Sequence, residues 1–368
     1  MKELLIATDS FLPRWDGVAR FLSEVIPRLS GSYKITVVAP DFRGRKIKIP
    51  KVRIVRIPLQ KRTIGDYTPS ILDLRKIKRL VETSDIIFTQ SIGPIGGPAV
   101  YYGQKLKKKV VAFMHSVEWE LVSKSVKKYK KSTYHIVKRF ARYLYRRCNV
   151  VIVPSHHIKT DLEQENIKTK TRIIHVGTDS GWFKPGIKSK AKKKLGIKGD
   201  RFVIGFVGRV GREKNLETLE KAFFKLRKKY DHLELLIVGT GLKEDIQRLR
   251  KKGVRVMGSQ DHVLPFYQAM DVHVLPSLTE TSSISTIEAM ACGLPVIVTP
   301  VGFLKEYIKS GVNGLVFRTQ QVDQLVKKIE LLLHNDDLRK RLGKNARITI
   351  KERFTWGKTV KKLRKVLG

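Results

Sequence analysis

The stretch that most constrains the fold lies between residues 272 and 298, where two short apolar runs enclose a polar loop and one helical pattern. The helical pattern I-S-T-I-E-A-M-A-C is followed by Gly293, a residue type that commonly terminates helices. The order strand, loop, helix, strand is the repeating unit of α/β folds, and it puts the loop at the helix N-terminus. The predicted strands are V-H-V-L (272–275) and V-I-V (296–298), and the predicted helix is 284–292.

The N-terminus of this helix is a predicted anion site that two carboxylates bracket. The first backbone N–H groups of a helix have no partner within it, and the helix dipole is positive there. Glu280 lies in the preceding loop, and Glu288 lies eight residues later, inside the helix. Carboxylates accept hydrogen bonds from hydroxyl groups, so the two glutamates suit the hydroxyls of a sugar and a ribose. The backbone amides suit a diphosphate, and the whole arrangement therefore fits a nucleotide-sugar. The alternative is that Glu280 is a solvated loop acid and Glu288 an exposed helix residue.

These residues resemble the hallmark of the retaining family 4 glycosyltransferases, E-x(7)-E followed by A-M-A-C-G-x-P-V-I. Here Glu280 and Glu288 precede A-M-A-C-G-L-P-V-I. The resemblance extends over nearly the whole chain and implies the GT-B architecture, an α/β fold of two Rossmann-like domains with an inter-domain cleft. It implies that Glu280 orients the sugar hydroxyls and that Glu288 holds the ribose. The family often has Gly-Phe-Gly after the first glutamate, whereas the donor-binding loop here reads Thr281, Ser282, Ser283 and Ile284.

A second match to the family opens the C-terminal half of the chain. The run F-V-I-G-F-V-G-R-V (202–210) predicts a strand, and the G-R-E-K-N that follows leads into a helix. The family pattern G-R-x(3)-E-K-N implies that Arg209 and Lys214, together with Gly208, bind the donor diphosphate. Two cations between a strand and a helix can replace a metal ion as the counter-charge for a leaving diphosphate. Surface basic residues are common, so the alternative for either residue alone is a solvated side chain.

The sequence predicts a reaction that needs neither a metal ion nor another cofactor. No D-x-D triplet occurs in the chain, although the alternative, metal-dependent glycosyltransferase architecture generally uses one to hold its divalent ion. No cluster of cysteine and histidine has the spacing of a zinc site. The missing triplet leads us to expect no metal, and the family resemblance implies a UDP- or GDP-sugar as the donor and no protein nucleophile.

The N-terminal half begins with a Rossmann-like pattern. The apolar run at 3–8 predicts a strand, a loop containing Gly17 follows, and a helix and a second strand (33–40) come next. The full G-x-G-x-x-G signature is absent; the resemblance implies that Gly17 lets the backbone approach the diphosphate, and the alternative is a plain turn. His115 lies at the end of the run V-V-A-F-M-H-S, where open parallel sheets bind ligands. Related enzymes have a sugar-contacting histidine there, whereas a lone histidine is usually structural.

A basic amphipathic helix is predicted within residues 124–147, which contain ten lysines or arginines and no acidic residue. Apolar side chains recur at helical spacing along it, at Val137, Phe140, Ala141, Leu144 and Tyr145, with Tyr134 one turn earlier. The alternative is an ordinary surface helix whose apolar side faces the core. The basic side is a predicted contact for anionic lipid headgroups, each charge contributing roughly 1 kcal/mol near the surface. The predicted membrane patch comprises Lys124, Lys127, Lys128, Lys130, Lys131, Lys138, Arg139, Arg142 and Arg146.

The formal net charge of +42 on 368 residues is spread over both halves of the chain. Such a field attracts polyanions, either nucleic acid or an anionic membrane surface, and the alternative is a lysine-rich composition with solvated side chains. No apolar run reaches the ~18 residues of a membrane-spanning helix, and the N-terminal residues lack the pattern of a signal peptide. Two cysteines far apart in sequence suit a reducing compartment. We expect a cytoplasmic enzyme that is bound peripherally to the inner face of the cell membrane.

The domain organisation is predicted from a lysine-rich segment that contains Pro185 and several glycines. The prediction is an N-terminal Rossmann-like acceptor-side domain (1–178), a linker (179–200) and a C-terminal Rossmann-like nucleotide-sugar-binding domain (201–354). In the family the final helix typically crosses back to the first domain, and residues 355–368 are the corresponding segment.

The resemblance implies a retaining hexosyltransferase that moves a sugar from a nucleotide-diphosphate sugar to an acceptor hydroxyl. Three features resemble the family members that act on membrane lipids, and a lipid acceptor is therefore predicted. They are the single glycine at Gly17, the sequence T-E-T-S-S in place of E-G-F-G, and the basic helix. A soluble sugar or glycan acceptor is the alternative. The non-enzymatic alternative is a basic nucleic-acid-binding protein on a GT-B-like fold. The chain has no recognised nucleic-acid module, and nucleic acid is therefore not expected as a partner.

Overall fold

The computed structural model describes residues 1–45, 47–63, 67–125 and 129–368, which form two compact units. The first unit combines Met1–His175 with Trp356–Gly368, and the second is Val176–Thr355. Each unit is built on one sheet, of seven strands in the first and six in the second, and all strand pairs of both sheets are parallel. The chain therefore has two Rossmann-like domains, as predicted.

The first unit alternates strands and helices. Its strands are β1 (Lys2–Ala7), β2 (Tyr33–Pro40), β3 (Val52–Ile57), β4 (Ile86–Thr89), β5 (Lys109–Phe113), β6 (Val150–Val153) and β7 (Thr171–Ile173). Its helices before residue 175 are α1 (Gly17–Leu29), α2 (Leu74–Glu82), α3 (Gly96–Lys105), α4 (Glu118–Ser125), α5 (Lys130–Tyr145) and α6 (His156–Gln164). The strand order is β3-β2-β1-β4-β5-β6-β7, so the direction of winding reverses between β1 and β4. Ligands of such sheets bind at the carboxyl ends of the strands beside this reversal.

The second unit repeats the pattern. Its strands are β8 (Phe202–Val207), β9 (Leu233–Val238), β10 (Val254–Val256), β11 (Val272–Leu275), β12 (Val296–Val298) and β13 (Leu315–Val316). Its helices are α7 (Lys188–Lys194), α8 (Leu216–Arg227), α9 (Lys243–Leu249), α10 (Leu264–Ala269), α11 (Ile284–Ala291), α12 (Leu304–Tyr307), α13 (Val322–Leu333) and α14 (Asp336–Arg353), with a 3₁₀ turn at Arg212–Lys214. The strand order is β10-β9-β8-β11-β12-β13, and the reversal lies between β8 and β11.

The central strands are recognisable in the sequence because parallel strands are covered on both faces and are almost uniformly apolar. Every residue of β8, β9, β11 and β12 is buried. The strands predicted at 272–275 and 296–298 are confirmed with the same bounds. The predicted helix between them is confirmed as α11, and Gly293 follows it with φ of +74°, a left-handed conformation common just past a helix C-terminus.

The final helix, α15 (Trp356–Leu367), belongs to the first unit. Its Trp356 ring lies 6.1 Å from the ring of Phe21 in α1, and the Thr359 hydroxyl donates to the His175 carbonyl at 2.9 Å. The predicted linker, 179–200, is instead part of the second unit. Within it the buried Lys192 has its Nζ 3.0 Å from Asp271 Oδ2, so this segment is fixed to the second sheet by a buried ion pair.

Helices α4 and α5 pack against each other, and a buried carboxylate links them. The Tyr145 hydroxyl, near the end of α5, donates to Glu118 Oε1 at the start of α4. Glu118 Oε2 is buried without a hydrogen-bond partner among the described residues. Burial raises the pKa of Glu118 to about 7, and the hydrogen bond from Tyr145 opposes that shift only in part. The folded protein thus favours the protonated form of this carboxyl.

Replacing Glu118 by glutamine should remove a pH-dependent loss of stability. The pKa of Glu118 is about 7 in the folded protein against an ordinary value of 4.5, so its stabilising contribution is complete below pH 4.5 and is lost as the pH rises through 7. The loss is roughly 3 kcal/mol, at about 1.4 kcal/mol per pKa unit. The free energy of unfolding, measured by urea denaturation from about pH 5 to about pH 8, should therefore decline less for Glu118→Gln than for wild type.

Glu217→Gln is the matched control, because Glu217 is an exposed glutamate of α8 whose carboxylate pairs with Lys221 at 2.6 Å. This variant should keep the wild-type decline between the same two pH values. Parallel curves for wild type and Glu118→Gln would contradict the assignment to Glu118.

Candidate active site

The site is built where the two central strands of the second sheet end. Because β8 and β11 are neighbours, the loops that leave their carboxyl ends run side by side. The Leu278 amide donates to the Glu213 carbonyl at 2.8 Å, and the Asn215 side-chain amide donates to the Pro276 carbonyl at 3.2 Å. These bonds fix the β8–α8 loop to the β11–α11 loop at the reversal point of the sheet, the place where open α/β sheets bind ligands.

Lys214 and Glu280 meet at the centre of this arrangement. Lys214 Nζ lies 2.5 Å from Glu280 Oε1, and the Ser277 hydroxyl donates to the same oxygen at 2.7 Å. The side chains of Lys214 and Glu280 are 19% and 7% exposed, so the pair is shielded from bulk water. The cation predicted to bind the diphosphate is thus next to the acid predicted to bind the sugar hydroxyls. Ser277, which sequence reasoning missed, supplies a neutral third partner.

Gly302 holds the backbone of Glu280 in place. Its φ is +51°, and a Cβ there would overlap the Glu280 carbonyl oxygen, so the glycine allows the β12–α12 loop to pass directly against the Glu280 loop. Sequence reasoning also missed this residue. The signal available was the T-P-V-G-F sequence after a strand, a glycine in a turn.

Arg209 and Gly208 follow β8 directly. Arg209 is exposed, and its Nη2 lies 2.6 Å from Glu213 Oε1 in the same loop. Gly208 has φ of +149°, a conformation that favours glycine. Arg209 is therefore at the same edge of the sheet as Lys214, but it is the more solvated of the two cations.

The N-terminus of α11 presents backbone amides rather than a side-chain cap. Ser283 precedes the helix in a left-handed conformation, φ 49° and ψ 71°, and its hydroxyl bonds to the Thr286 hydroxyl at 2.8 Å instead of to a first-turn N–H. The first N–H groups of a helix lack intrahelical partners and attract anions. Thr281, Ser282 and Ile284 are partly exposed beside this helix end.

Glu288, predicted to bind ribose, lies inside α11 and is buried, at 6% exposed. Its Oε2 is 3.1 Å from the hydroxyl oxygen of Tyr267 in α10. The alternative that Glu288 is an exposed helix residue is therefore wrong, because almost none of the residue is in contact with solvent.

His115 lies two residues beyond β5, at the carboxyl edge of the first sheet. Its ring stacks on Phe113 with 4.3 Å between ring centroids, and its Nε2 is 2.9 Å from Gln90 Oε1. Because a carbonyl oxygen only accepts, Nε2 carries the proton and Nδ1 carries the lone pair. Burial lowers the pKa of His115 to about 3, so the ring is neutral at physiological pH and can accept a hydrogen bond from a hydroxyl.

Gly17 is the first residue of α1 and has open space on its Cβ side. The carboxylate of Asp16, however, already accepts from the amides of Val18 and Ala19, both at 3.0 Å. Asp16 is thus the N-cap of α1, the usual role of an aspartate just before a helix. A diphosphate at this helix end would have to replace a carboxylate.

Asp9 is a buried carboxylate that sequence reasoning missed. It follows β1 at the reversal point of the first sheet and accepts from the amides of Ile95 and Gly96, at 2.8 and 3.1 Å, and from the Ser91 hydroxyl at 2.5 Å. A Cβ on Gly93 would lie 2.7 Å from the Asp9 carboxyl carbon, which explains the glycine there. Burial raises the pKa of Asp9 despite these bonds. Its position fixes the S-I-G-P-I-G-G turn that leads into α3.

The predicted membrane patch is partly described by the structure. Lys127 and Lys128 lie outside the described residues, and the side chains of Lys124 and Lys130 are not described. Lys138 belongs to an ion pair, with Nζ 2.7 Å from Glu165 and only 21% of its side chain exposed. Lys131, Arg139 and Arg146 are exposed and Arg142 is partly exposed.

The apolar side chains of α5 are divided between two faces. Ala141, Leu144 and Tyr145 are buried in the core of the first unit. Phe140 was predicted to lie on the same side as these residues, but it is 48% exposed. Ile136 and Tyr143, about one helical turn before and after it, are 68% and 43% exposed. The outward face of α5 therefore combines three apolar residues with arginines.

Among the described residues, no group of three or more histidine, cysteine, aspartate or glutamate side chains is arranged to hold a metal ion. In the same part of the chain, no helix is both long and apolar enough to cross a membrane.

Two protein-family descriptions match the chain, and together they cover most of it. Glycosyltransferase Family 4 matches residues 15–182, and Glycosyl transferases group 1 matches residues 187–349. The chain belongs to the family 4 glycosyltransferases. It is therefore a glycosyltransferase with the GT-B fold, and the family resemblance seen in the sequence is confirmed.

This glycosyltransferase has relatives along its whole length. An uncharacterized glycosyltransferase of Methanocaldococcus jannaschii is 25% identical, over 99% of this chain and 97% of the relative. The alpha-monoglucosyldiacylglycerol synthase of Acholeplasma laidlawii is 29% identical, over 56% of this chain and 54% of its own length. The crystal structure of HepE from Anabaena with UDP and glucose superposes with a TM-score of 0.79 at 18% identity, covering 100% of this chain and 99% of HepE. The structural similarity to HepE supports the assignment of the GT-B fold.

Gly302→Ala should destabilise the protein more than an equivalent change at an open glycine. The new Cβ meets the Glu280 backbone, which cannot move without breaking the Lys214 and Ser277 contacts, and the left-handed conformation adds strain. A loss on the order of 3 kcal/mol in the free energy of unfolding is expected. The control is Gly311→Ala, where φ is +81° and nothing lies within 4 Å of the new atom, so only about 1 kcal/mol of conformational strain should appear. Equal losses would mean that the contact with Glu280 is unimportant.

Proposed function

We propose that this enzyme transfers a hexosyl group from a UDP- or GDP-sugar to an acceptor hydroxyl with retention of the anomeric configuration. The observation that carries the proposal is the shielded Lys214–Glu280 pair next to the uncapped N-terminus of α11. Cation, amides and carboxylate at one point of the sheet match the two halves of a nucleotide-sugar, an anionic diphosphate and a hydroxylated ring.

Each group then has a distinct role. The diphosphate binds Lys214, Arg209 and the amides at the start of α11, and Glu280 orients the sugar hydroxyls. Glu288 accepts hydrogen bonds from the ribose. For the first domain we keep the proposal, implied by the family, that His115 contacts the transferred sugar; its neutral ring has an acceptor at Nδ1. The role of Gly17 in donor binding stays a prediction, since Asp16 occupies the nearby amides.

The reaction requires no protein nucleophile. The bond from the anomeric carbon to the diphosphate oxygen breaks, and the acceptor oxygen forms its bond to that carbon on the same face. The acceptor proton passes to the departing phosphate oxygen, so the products are the glycoside and a nucleoside diphosphate. The protein contributes fixed positions and a preorganised positive charge at the leaving group, the two effects that lower such barriers most.

A membrane lipid is the proposed acceptor. Support comes from the alpha-monoglucosyldiacylglycerol synthase among the relatives and from the outward face of α5. On that face, Ile136, Phe140 and Tyr143 are available to enter the interfacial region while the surrounding arginines contact anionic headgroups. A soluble sugar or glycan acceptor is the alternative function. Peripheral binding at the cytoplasmic face of the membrane is part of the same proposal.

Nucleotide-sugars should stabilise the folded protein, and Lys214 should be needed for the effect. A panel of UDP- and GDP-sugars tested by thermal unfolding should contain at least one that raises Tm, because a ligand that binds only the folded state shifts the unfolding equilibrium. Lys214→Ala should weaken that donor's binding by about 10- to 100-fold through loss of a charge-assisted contact. Lys225→Ala is the control, since Lys225 is exposed on α8 and pairs with Asp323. No stabilisation by any member of the panel would contradict the proposed function, and an unaltered Lys214→Ala would contradict the role of Lys214.

Membrane binding should depend on α5 rather than on total charge. Changing Lys131, Arg139 and Arg146 to glutamate should reduce co-sedimentation with vesicles that contain phosphatidylglycerol, because each cation contributes roughly 1 kcal/mol near the surface. The control reverses three exposed cations of α14, Arg341, Lys344 and Lys351, and so alters net charge equally.

Salt separates the two components of this binding. Electrostatic attraction is screened over about 8 Å at physiological ionic strength, so binding that persists at high salt would report insertion of apolar side chains, and Phe140→Ser should then abolish it. Equal losses in the two charge-reversed variants would mean that α5 is not a specific patch.

A further inference from the structure

Tyr267 is a buried residue of α10 whose hydroxyl reaches into α11. The side chain is fully buried, and its Oη lies 3.1 Å from Glu288 Oε2 and 3.1 Å from the Ser285 carbonyl oxygen. The ring is held edge-on by Phe183 and His273, with 6.0 and 6.1 Å between ring centroids. The position of the hydroxyl is therefore set by packing on two sides.

The hydroxyl has one proton to donate and two acceptors within reach. A carboxylate attracts that proton more strongly than a carbonyl does, because hydrogen bonds to charged groups are about twice as strong as neutral ones. Glu288 is 6% exposed, and a buried carboxylate is costly unless donors satisfy it. The Tyr267 hydroxyl thus supplies a donor to the buried Glu288 and fixes the direction in which its carboxylate points.

The charge of Glu288 is felt locally. Cys292, the residue that follows α11, has its pKa raised first by burial and then by the charge of Glu288. His273 beside Tyr267 is neutral, since burial lowers its pKa to about 3. The pair of Tyr267 and Glu288 is therefore a hydrogen-bonded polar pair among buried side chains, and the direction of the carboxylate decides which hydroxyl groups it can accept from.

We propose that Tyr267 is the positioning residue for ribose recognition: it holds the Glu288 carboxylate in the orientation that accepts hydrogen bonds from the ribose hydroxyls of the donor. The proposal rests on the proposed function, in which Glu288 binds ribose. Tyr267 touches neither the sugar nor the diphosphate in this scheme. Its loss should raise KM for the donor and reduce discrimination between ribose and deoxyribose, while kcat at saturating donor changes little.

The test measures nucleoside diphosphate binding by calorimetry. UDP and GDP are compared with their 2′-deoxy and 3′-deoxy analogues on wild type, Tyr267→Phe and Tyr230→Phe. Tyr230→Phe is the matched control, because the Tyr230 hydroxyl also donates to a glutamate, Glu330 Oε1 at 2.8 Å, but lies just before β9 at the opposite edge of the sheet. We expect wild type and Tyr230→Phe to prefer a ribonucleotide over its deoxy analogue by about tenfold or more, and Tyr267→Phe to lose most of that preference.

A double-mutant cycle with Glu288→Gln identifies the route of the effect. If Tyr267 acts through Glu288, Tyr267→Phe should have no further effect on the preference once Glu288 is glutamine. The Glu288→Gln single variant keeps the Tyr267 ring in place, so the cycle remains informative if Tyr267→Phe is less stable, and thermal unfolding of each variant reports that separately.

The possible results distinguish the proposed function from the positioning role of Tyr267. Wild-type protein that binds no nucleoside diphosphate would contradict the proposed function itself. Wild type that prefers ribose, with Tyr267→Phe showing the same preference, would overturn the positioning role and leave the function standing. Additive effects of Tyr267→Phe and Glu288→Gln would likewise show that Tyr267 does not act through Glu288.

Discussion

The pairing of β8 with β11 is the constraint on which the candidate active site depends. These strands are adjacent in space although two strands separate them in sequence, so the loops at their carboxyl ends are neighbours. Backbone contacts between the loops then bring Lys214 within 2.5 Å of Glu280. A shielded ion pair of this kind is costly to separate unless a new anion replaces the partner of the cation, which is what a diphosphate supplies.

Buried carboxylates recur in this strongly basic protein, and they do not all have the same kind of hydrogen-bond partner. Asp9 is held by backbone amides and a serine, Glu118 by one tyrosine, Glu280 by a lysine and a serine, and Glu288 by Tyr267. The groups around each carboxylate determine its role in the structure. Amides fix a turn at Asp9, burial beside a single tyrosine leaves the pKa of Glu118 raised to about 7, and a lysine holds Glu280 close to the N-terminus of α11.

The charge of the chain is less uniform in three dimensions than in sequence. Within α5, Lys138 is paired with Glu165, whereas Arg139 and Arg146 stand among the exposed Ile136 and Phe140. Counting lysines and arginines in the sequence therefore overstates how many of them could contact an anionic surface. It also misses the exposed apolar residues beside them. Both properties matter for a protein that contacts an interface, since apolar insertion resists salt and electrostatic attraction does not.

The sequence by itself determined the α/β class, the bounds of β11 and β12, and the presence of both glutamates of the site. Apolar runs, Gly293 and the spacing of the motif are local, and local patterns fix local structure. The tertiary structure alone decided that Lys214 pairs with Glu280, that Tyr267 holds Glu288, that Asp9 fixes a turn beginning 82 residues further along the chain, and that residues 179–200 pack in the second unit. Those contacts depend on strand order and on how helices pack. The periodicity of apolar residues along the chain predicts individual strands and helices, but it does not predict either of these.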